Sequence, residues 1–276
     1  MDKHGTSAHP VRPRRQGSAT VHRMLPIFVL LLGLAAVSQA QAAGRTLTVG
    51  YYDFPPVMYG DSHGVTRGEM AELTRLVLRR AGYRPRFRRL PSARLYTALK
   101  SGSVDIWLGA PGKPELRAHT RESAHSLGRV DLNLYHRADT PTPRIPESLV
   151  GQGVIVINGY SYWPSVNQLL QDPALDIRLL RTATHESALA MLRYRRADYL
   201  LDYQLPAEQA RRDQGLEPLP HLVLQQVPIH FIVSRHVADS AAVLADLDRA
   251  FLALRAAGRL PSLPEGSLSA AASRAR

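Results

Sequence analysis

The feature that most constrains the fold is a regular alternation of short apolar runs and amphipathic segments in the first half of the chain. The runs have the length of strands, and the segments between them repeat apolar residues at helical spacing before a glycine. In order, the predicted elements are strand Leu47–Tyr51, a helix from Glu69, strand Arg84–Leu90, a helix from Pro91-Ser92 and strand Val104–Leu108. This alternation is typical of a parallel sheet with crossover helices.

The second half of the chain repeats the pattern. Its predicted strands are 130–136, 153–157, 177–180 and 199–201, and its predicted helices are 165–170, 186–195 and 204–214. Two further strands, 222–227 and 229–233, are expected on either side of Pro228, because proline lacks the N–H that a central strand donates. Apolar positions at helical spacing predict a last helix over 240–257. The sequence therefore predicts an α/β protein with two groups of elements.

Composition excludes several classes of function. The chain has 276 residues, enough for one large or two modest domains, and it has no cysteine. A disulfide scaffold, a thiolate metal site and a cysteine nucleophile are therefore excluded. The formal net charge is +12, which raises nucleic acid as a partner. However, the positive residues are spread over every predicted element and no nucleic-acid-binding motif is present, so we expect no nucleic-acid partner.

The N-terminal residues 1–43 predict export. An uncharged apolar run, 25–37, follows Arg23-Met24 and precedes the small-residue site Ala40-Gln41-Ala42. A basic flank, a short apolar core and an A-x-A site are typical of a secretory signal peptide. The run is short for a membrane span, and without a cysteine after it no lipid anchor is expected. Met24 is an alternative start, which would make 1–23 an upstream extension of the reading frame.

A charged loop follows the third predicted strand. It carries Lys113, Glu115 and Arg117 just past the carboxyl end of that strand, which is where open α/β sheets bind ligands. Asp202 follows a strand of the second half in the same way. The alternatives are that Arg117 pairs with Glu115 on a solvated loop and that Asp202 caps the helix after it.

Together these landmarks resemble the periplasmic solute-binding proteins of the amino-acid-binding family (family 3), which serve ATP-driven importers of the ABC type. The segments that carry the resemblance are LTVGYYDFPPVMY, GEMAELTRLVLRRAGY, ALKSGSVDIWLGAPGKPELR, RRADYLLD and ALRAAGRLPSL. Their order and spacing behind a signal peptide make the match specific, although no single motif is diagnostic.

The resemblance implies a type II periplasmic-binding fold: two α/β lobes, each a mainly parallel sheet flanked by helices, joined by two crossover strands. The hinge strands would fall near 128–133 and 226–229. Lobe 1 would comprise 44–130 plus 229–265, lobe 2 would comprise 131–228, and 266–276 would be a disordered tail.

The resemblance also implies roles for two residues of the cleft. Arg117 takes the position that clamps the ligand α-carboxylate, and Asp202 takes the position that accepts the α-ammonium. A planar guanidinium suits the first role because it makes two charge-assisted hydrogen bonds with one carboxylate. The family usually has a hydroxyl residue a few positions before this arginine, whereas this chain has Pro111-Gly112-Lys113. A point charge from Lys113 at that place would favour a more acidic ligand.

Further candidates come from the ends of predicted strands. Tyr51, Phe54 and Tyr96 are expected either to wall a side-chain pocket or to belong to the core. Arg94 offers a second anion contact or is a surface residue. The turn Asn158-Gly159-Tyr160-Ser161 either offers free backbone N–H groups to a carboxylate or is an ordinary turn.

The resulting expectation is a monomeric, non-catalytic periplasmic receptor. It would bind an amino acid or a related carboxylate in the interlobe cleft, without cofactor or metal, and deliver it to an ABC-type permease. Two alternatives remain open: an enzyme on the same scaffold, of the cyclohexadienyl dehydratase type, and a stand-alone sensory module. The chain lacks a Gly-x-Ser-x-Gly elbow and a His-Glu-x-x-His motif, which argues against the common hydrolase chemistries.

Overall fold

The computed structural model describes Met1 and residues 44–160 and 162–261. The expected signal peptide and the expected tail at 266–276 lie outside these residues. Within them, no helix combines the length and apolar character that a membrane crossing requires.

The described chain alternates strands and helices as predicted. The strands are β1 Thr46–Tyr51, β2 Tyr59–Gly60, β3 Thr66–Arg67, β4 Arg84–Arg89, β5 Ile106–Gly109, β6 Thr120–Glu122, β7 Gly128–His136, β8 Gly153–Ile157, β9 Arg178–Thr182, β10 Tyr199–Tyr203 and β11 His221–Ser234. The helices are α1 Glu69–Arg80, α2 Ser92–Ser101, α3 Pro164–Gln171, α4 His185–Arg193, α5 Gln204–Asp213 and α6 Ser240–Ala256, with 3₁₀ turns at Glu147–Leu149 and Pro173–Leu175. The predicted α/β class is confirmed.

One nine-stranded sheet joins two groups of parallel strands. Its order is β4-β1-β5-β11-β7-β10-β8-β9, and β6 also pairs with β11. β1 is parallel to β4 and β5, while β8 is parallel to β9 and β10. The antiparallel pair β7–β11 links the two groups. The chain passes between the groups along these two strands, as the type II periplasmic-binding fold requires, and the lobe boundaries stay a prediction.

Strand β11 differs from its prediction, because one continuous strand replaces the two expected around Pro228. Pro228 pairs with Arg129 of β7, whereas the pairing of β11 with β5 begins only at His230. At Pro228 the strand is therefore bonded on one side alone, a setting in which the missing N–H need not break the ladder. The prediction of two separate strands was wrong for this reason.

The last helix returns the chain to the first group of strands. α6 buries Val243, Leu247 and Phe251 and contacts α1, β6 and β11. The hydroxyl of Tyr83 donates a hydrogen bond of 2.8 Å to Asp246 of α6. Burial of the apolar face of α6, at about 25 cal/mol per Å² removed from water, is what holds this helix against the sheet.

Candidate functional site

A cavity of about 70 Å³ lies where the two groups of strands meet. Its wall combines the carboxyl ends of β1, β5 and β10 with the middle of β7 and β11. Loops at the carboxyl ends of parallel strands are the usual ligand site of open α/β sheets. We call this cavity the aromatic cleft, because its lining includes the rings of Tyr51, Tyr52, Phe54, Tyr96, Trp107 and Tyr203.

Rings from the two groups touch across the cleft. Tyr52 lies 5.9 Å, centroid to centroid, from Tyr160, which follows β8. Phe54 contacts Tyr203 of β10 edge-on, with centroids 5.4 Å apart, and Tyr160 contacts Tyr203 at the same distance. Edge-on and tilted pairs are the favoured arrangements of aromatic quadrupoles. The rings therefore form one connected wall rather than two separate ones.

The loop after β1 turns sharply so that these rings can face the cleft. Phe54 and Met58 form an isolated bridge, and one oxygen of the Asp53 carboxylate accepts the N–H of Gly60. Asp53 also pairs with Arg89 at the end of β4. Consecutive prolines between Phe54 and Val57 prevent the strand from continuing, so the chain folds back and leaves Phe54 in the wall.

Lys113 is the charged residue in this wall. It is 5% exposed, and its ammonium lies 4.4 Å from the ring centroid of Trp163, which precedes α3. Burial lowers the pKa of Lys113 to about 8, and the nearby Glu115 carboxylate partly opposes that shift. A desolvated cation of this kind favours an anionic ligand.

Arg117 lies elsewhere. It is exposed and lines a separate surface groove with Arg121 and Arg235. The reason is local, since Leu116 is buried in a cluster with Trp107 and this packing turns the next side chain of the loop outward. Lys113 is thus the residue of this loop that lines the cleft, and the ligand-binding role of Arg117 stays a prediction.

Asp202 is buried beneath the cleft instead of lining it. It is 0% exposed, and its carboxylate accepts a 2.7 Å hydrogen bond from His185 Nδ1 and a 2.8 Å bond from the backbone N–H of Tyr203. Burial raises the pKa of Asp202, and the hydrogen bond from His185 partly offsets this rise. The expectation that Asp202 accepts a ligand ammonium is not supported by this placement.

A hydrogen-bonded chain connects Asp202 to the aromatic wall. His185 Nε2 lies 3.1 Å from the hydroxyl of Tyr160. Since an ionised carboxylate can only accept, Nδ1–H of His185 donates to Asp202, and a neutral ring then accepts the Tyr160 hydroxyl at Nε2. Burial raises the pKa of Tyr160 well above its ordinary value, so the phenol stays protonated. The chain fixes the orientation of the Tyr160 ring.

The turn after β8 does not offer the expected row of free amides. The N–H of Asn158 donates to Thr182 and that of Tyr160 donates to Ile157. The carbonyl of Gly159 accepts the hydroxyl of Ser92 from α2, which ties the turn to the other group of strands. Ser161 lies outside the described residues. The amides of Asn158 and Tyr160 are therefore already used within the protein, and the carboxylate-binding role expected of the turn, Gly159 included, stays a prediction.

The remaining candidates divide between wall and surface. Tyr51, Phe54 and Tyr96 line the cleft, and the Tyr51 hydroxyl also accepts a hydrogen bond from Thr66. Arg94 is exposed on α2 and is not part of the lining.

Several functional residues were not singled out from the sequence. Tyr52, Tyr203 and Trp163 each lie at or next to the end of a strand or helix, whereas Trp107 lies within β5. In the sequence only this position, and not the residue type, could have indicated a place in the cleft. His185 begins α4 after the Thr184 cap and is typical of a surface histidine in sequence. Only the fold places it against Asp202. Within the described residues, no three His, Asp or Glu side chains are grouped to hold a metal ion.

Comparison with protein families gives one match over most of the chain. A model of the bacterial extracellular solute-binding proteins, family 3, matches residues 47–266. A comparison with curated proteins finds no match.

Solved structures similar to this chain share its architecture. A histidine kinase sensor domain with similarity to periplasmic binding proteins is 24% identical, with 79% of this chain and 93% of that chain covered at a TM-score of 0.66. A mutant of ArgBP from T. maritima is 20% identical, with 82% and 95% covered and a TM-score of 0.63. A substrate-binding protein of an ABC uptake transporter from Streptococcus pneumoniae, with bound histidine, is 17% identical, with 82% and 92% covered and a TM-score of 0.64. These likenesses establish the fold and leave the solute open.

Proposed function

Because the chain belongs to the bacterial extracellular solute-binding proteins of family 3, we propose that it is a periplasmic receptor that captures a small carboxylate-bearing solute in the aromatic cleft. The observation that carries this proposal is a ring-walled cavity at the strand ends, with the buried cation Lys113 in its wall. The expected signal peptide in 1–43 supports export. Tyr51, Phe54 and Tyr96 act as wall residues, and Lys113 acts as the anion contact in place of Arg117.

The role is binding without catalysis. Tyr160, His185 and Asp202, which lie outside the cleft lining, are hydrogen-bonded to one another. A general base needs a proton of the substrate within its reach, and neither His185 nor Asp202 is among the residues that line the cavity. Delivery of the solute to an ABC-type permease, by a monomeric receptor, completes the proposal, with closure of the two lobes as the recognised state.

A sensory role is the second candidate. The observation that favours it is the similarity to the sensor domain of a histidine kinase. The two roles share the binding step and differ in the fate of the bound solute. Uptake of the solute in a strain that lacks this protein distinguishes them: lost uptake supports transport, whereas normal uptake with a lost transcriptional response supports sensing.

A thermal-shift screen of the purified protein tests the binding step. Amino acids, small carboxylates and polyamines are compared, and we expect members of the carboxylate-bearing classes to raise the midpoint, since a ligand that binds only the folded state stabilises it. A screen in which no solute raises the midpoint, together with turnover of prephenate-like acids, would contradict the receptor and favour the enzyme.

A further inference from the structure

The charge of the aromatic cleft has one sign. Among the described residues that line it, Lys113 alone carries a formal charge. Burial raises the pKa of the Tyr52 and Tyr203 phenols, so neither supplies a negative charge at neutral pH. A solute in this cavity meets one ammonium group, neutral hydroxyls and apolar surface.

Among the described residues that line the cleft, none is an aspartate or glutamate that could pair with a solute ammonium. The acid that the family resemblance assigns to this role, Asp202, is 0% exposed and lies behind the rings with both carboxylate oxygens hydrogen-bonded. Aromatic faces attract cations, but a cation here would share a low-dielectric cavity with Lys113 and be repelled by it. A solute ammonium would therefore lose its hydration without gaining a counter-charge from the described wall.

The shape and chemistry of the wall suit a flat apolar body. Tyr96 and Trp107 meet edge-on with centroids 5.2 Å apart, and Tyr52 lies 6.4 Å from Trp107. The floor is aliphatic, from Val130 of β7 and Val227 of β11. Stacked and edge-on contacts with such rings stabilise an aromatic guest beyond simple burial of area.

We infer that the solute is an aryl or heteroaryl carboxylate whose recognition does not use an α-ammonium group: the carboxylate pairs with Lys113 and the ring occupies the aromatic cleft. This inference rests on the proposed function and names the class of solute that the receptor takes. It departs from amino-acid recognition, in which both the carboxylate and the ammonium are bound.

Three compounds that share a phenyl ring allow the contributions of the solute carboxylate and the solute ammonium to binding to be measured separately. Phenylacetate has the carboxylate alone, phenylalanine has both groups, and 2-phenylethylamine has the ammonium alone. By isothermal titration calorimetry we expect phenylacetate to bind about tenfold or more tightly than phenylalanine, because the buried ammonium is unpaired. We expect no measurable binding of 2-phenylethylamine.

A pair of lysine variants tests the contact. Lys113→Met keeps the length of the side chain and removes the charge, and it should weaken phenylacetate binding on the order of tenfold to a hundredfold. The matched control is Lys100→Met in the last turn of α2, outside the lining, which should leave the dissociation constant unchanged. Lys113→Arg retains the charge and serves as a second variant if the methionine variant does not fold.

The outcomes distinguish this inference from the proposed function. Tight binding of phenylalanine without binding of phenylacetate overturns the inference and leaves the receptor intact. Equal binding by wild type, Lys113→Met and Lys113→Arg also overturns it. Binding of none of the three compounds, while another solute class raises the midpoint, overturns the inference alone. If no solute binds at all, the receptor itself fails.

Discussion

Two ionisable side chains near the cleft, Lys113 and Asp202, are both buried, but only Lys113 is part of the cleft lining. Asp202 is enclosed by donors from His185 and the backbone, so it serves the protein. Lys113 lies in the wall of a cavity, so its charge acts on a solute that enters. The positive charge of Lys113 in the cavity wall is the basis for expecting an anionic solute.

The pKa of Lys113 predicts how binding depends on pH. Because burial lowers that pKa to about 8, the free protein loses the charge above pH 8. A bound anion raises the pKa again, so the affinity for phenylacetate should fall above pH 8 by up to about tenfold per pH unit. Calorimetry on both sides of pH 8 measures this. The profile should be retained by Lys100→Met and abolished by Lys113→Met, and a flat profile in the wild type contradicts the contact.

The chain Tyr160–His185–Asp202 predicts a stability effect. His185→Ala removes a hydrogen-bond partner of a carboxylate that is 0% exposed, and it should cost roughly 3 kcal/mol in the free energy of unfolding. His236→Ala is the control, because that exposed ring bonds only a helix-end carbonyl of Lys100 and should cost about 1 kcal/mol or less. Urea unfolding provides the comparison.

The same three hydrogen-bonded residues determine the direction in which the free energy of unfolding changes with pH. Burial raises the pKa of Asp202, so the folded state binds this proton more tightly than the unfolded state. The contribution of Asp202 to stability therefore falls as pH rises from the ordinary range of an aspartate through its folded pKa. Without His185 the pKa rises further, so the cost of His185→Ala should grow from acid to neutral pH. An equal cost at both pH values would show that Asp202 is not the residue affected.

At the residue scale, the sequence pointed to the loop that lines the cleft, but it did not indicate which cation of that loop faces it. The charges of the 113–117 loop follow β5 as expected, yet which of them points inward depends on Leu116, whose packing against Trp107 is a tertiary contact. Likewise the spacing between His185 and Asp202 has no periodic signature, because α4 and β10 bring them together.

At the element scale, strands and helices could be predicted closely because each one has its own local signal. β8 has the predicted bounds 153–157, and the α1 start at Glu69 was also correct. One exception is β11, for which the strand-breaking tendency of Pro228 is offset by pairing that only the folded sheet provides. The short strands β2, β3 and β6 were not predicted either. The sequence therefore predicts an element when nearby residues determine its conformation, and it fails when pairing with a distant strand determines whether the element forms.

The junction between the cleft loop and α1 depends on Gly68. Its φ is +100°, and a Cβ there would lie 2.3 Å from the carbonyl oxygen of Val57, to which the N–H of Met70 is bonded at 2.9 Å. Both Val57 and Met70 line the cleft. Gly68→Ala should therefore destabilise the fold by about 3 kcal/mol or more, from backbone strain and steric overlap together, and weaken solute binding.

Gly64→Ala is the matched control for this substitution. Gly64 also has a positive φ, +76°, but nothing lies within 4 Å of its added Cβ, so only the conformational cost of about 1 kcal/mol applies. Thermal unfolding and calorimetry of the two variants provide the test. Equal costs would show that the contact with Val57 does not matter.

At the scale of the whole molecule, the cleft lies between the two groups of parallel strands that β7 and β11 join. Contacts across it in the described part of the chain include pairs of aromatic rings, the hydrogen bond between Ser92 and Gly159, and Lys113 over Trp163. A small interface of this kind can open and close about the crossing strands. The lobe boundaries expected from the sequence, 44–130 with 229–265 and 131–228, would place the two tryptophans on opposite sides of the cleft.

Those two tryptophans test the central claim, that the solute binds between the two groups of strands. Trp107 and Trp163 are the only tryptophans of the chain, and Trp163→Phe leaves Trp107 as a single reporter in the cleft wall while keeping a ring near Lys113. Phenylacetate should change the emission of wild type and variant in a saturable way, with midpoints that match the calorimetric dissociation constants. Calorimetric binding that leaves both emission spectra unchanged would contradict the account, because the solute would then lie outside the aromatic cleft.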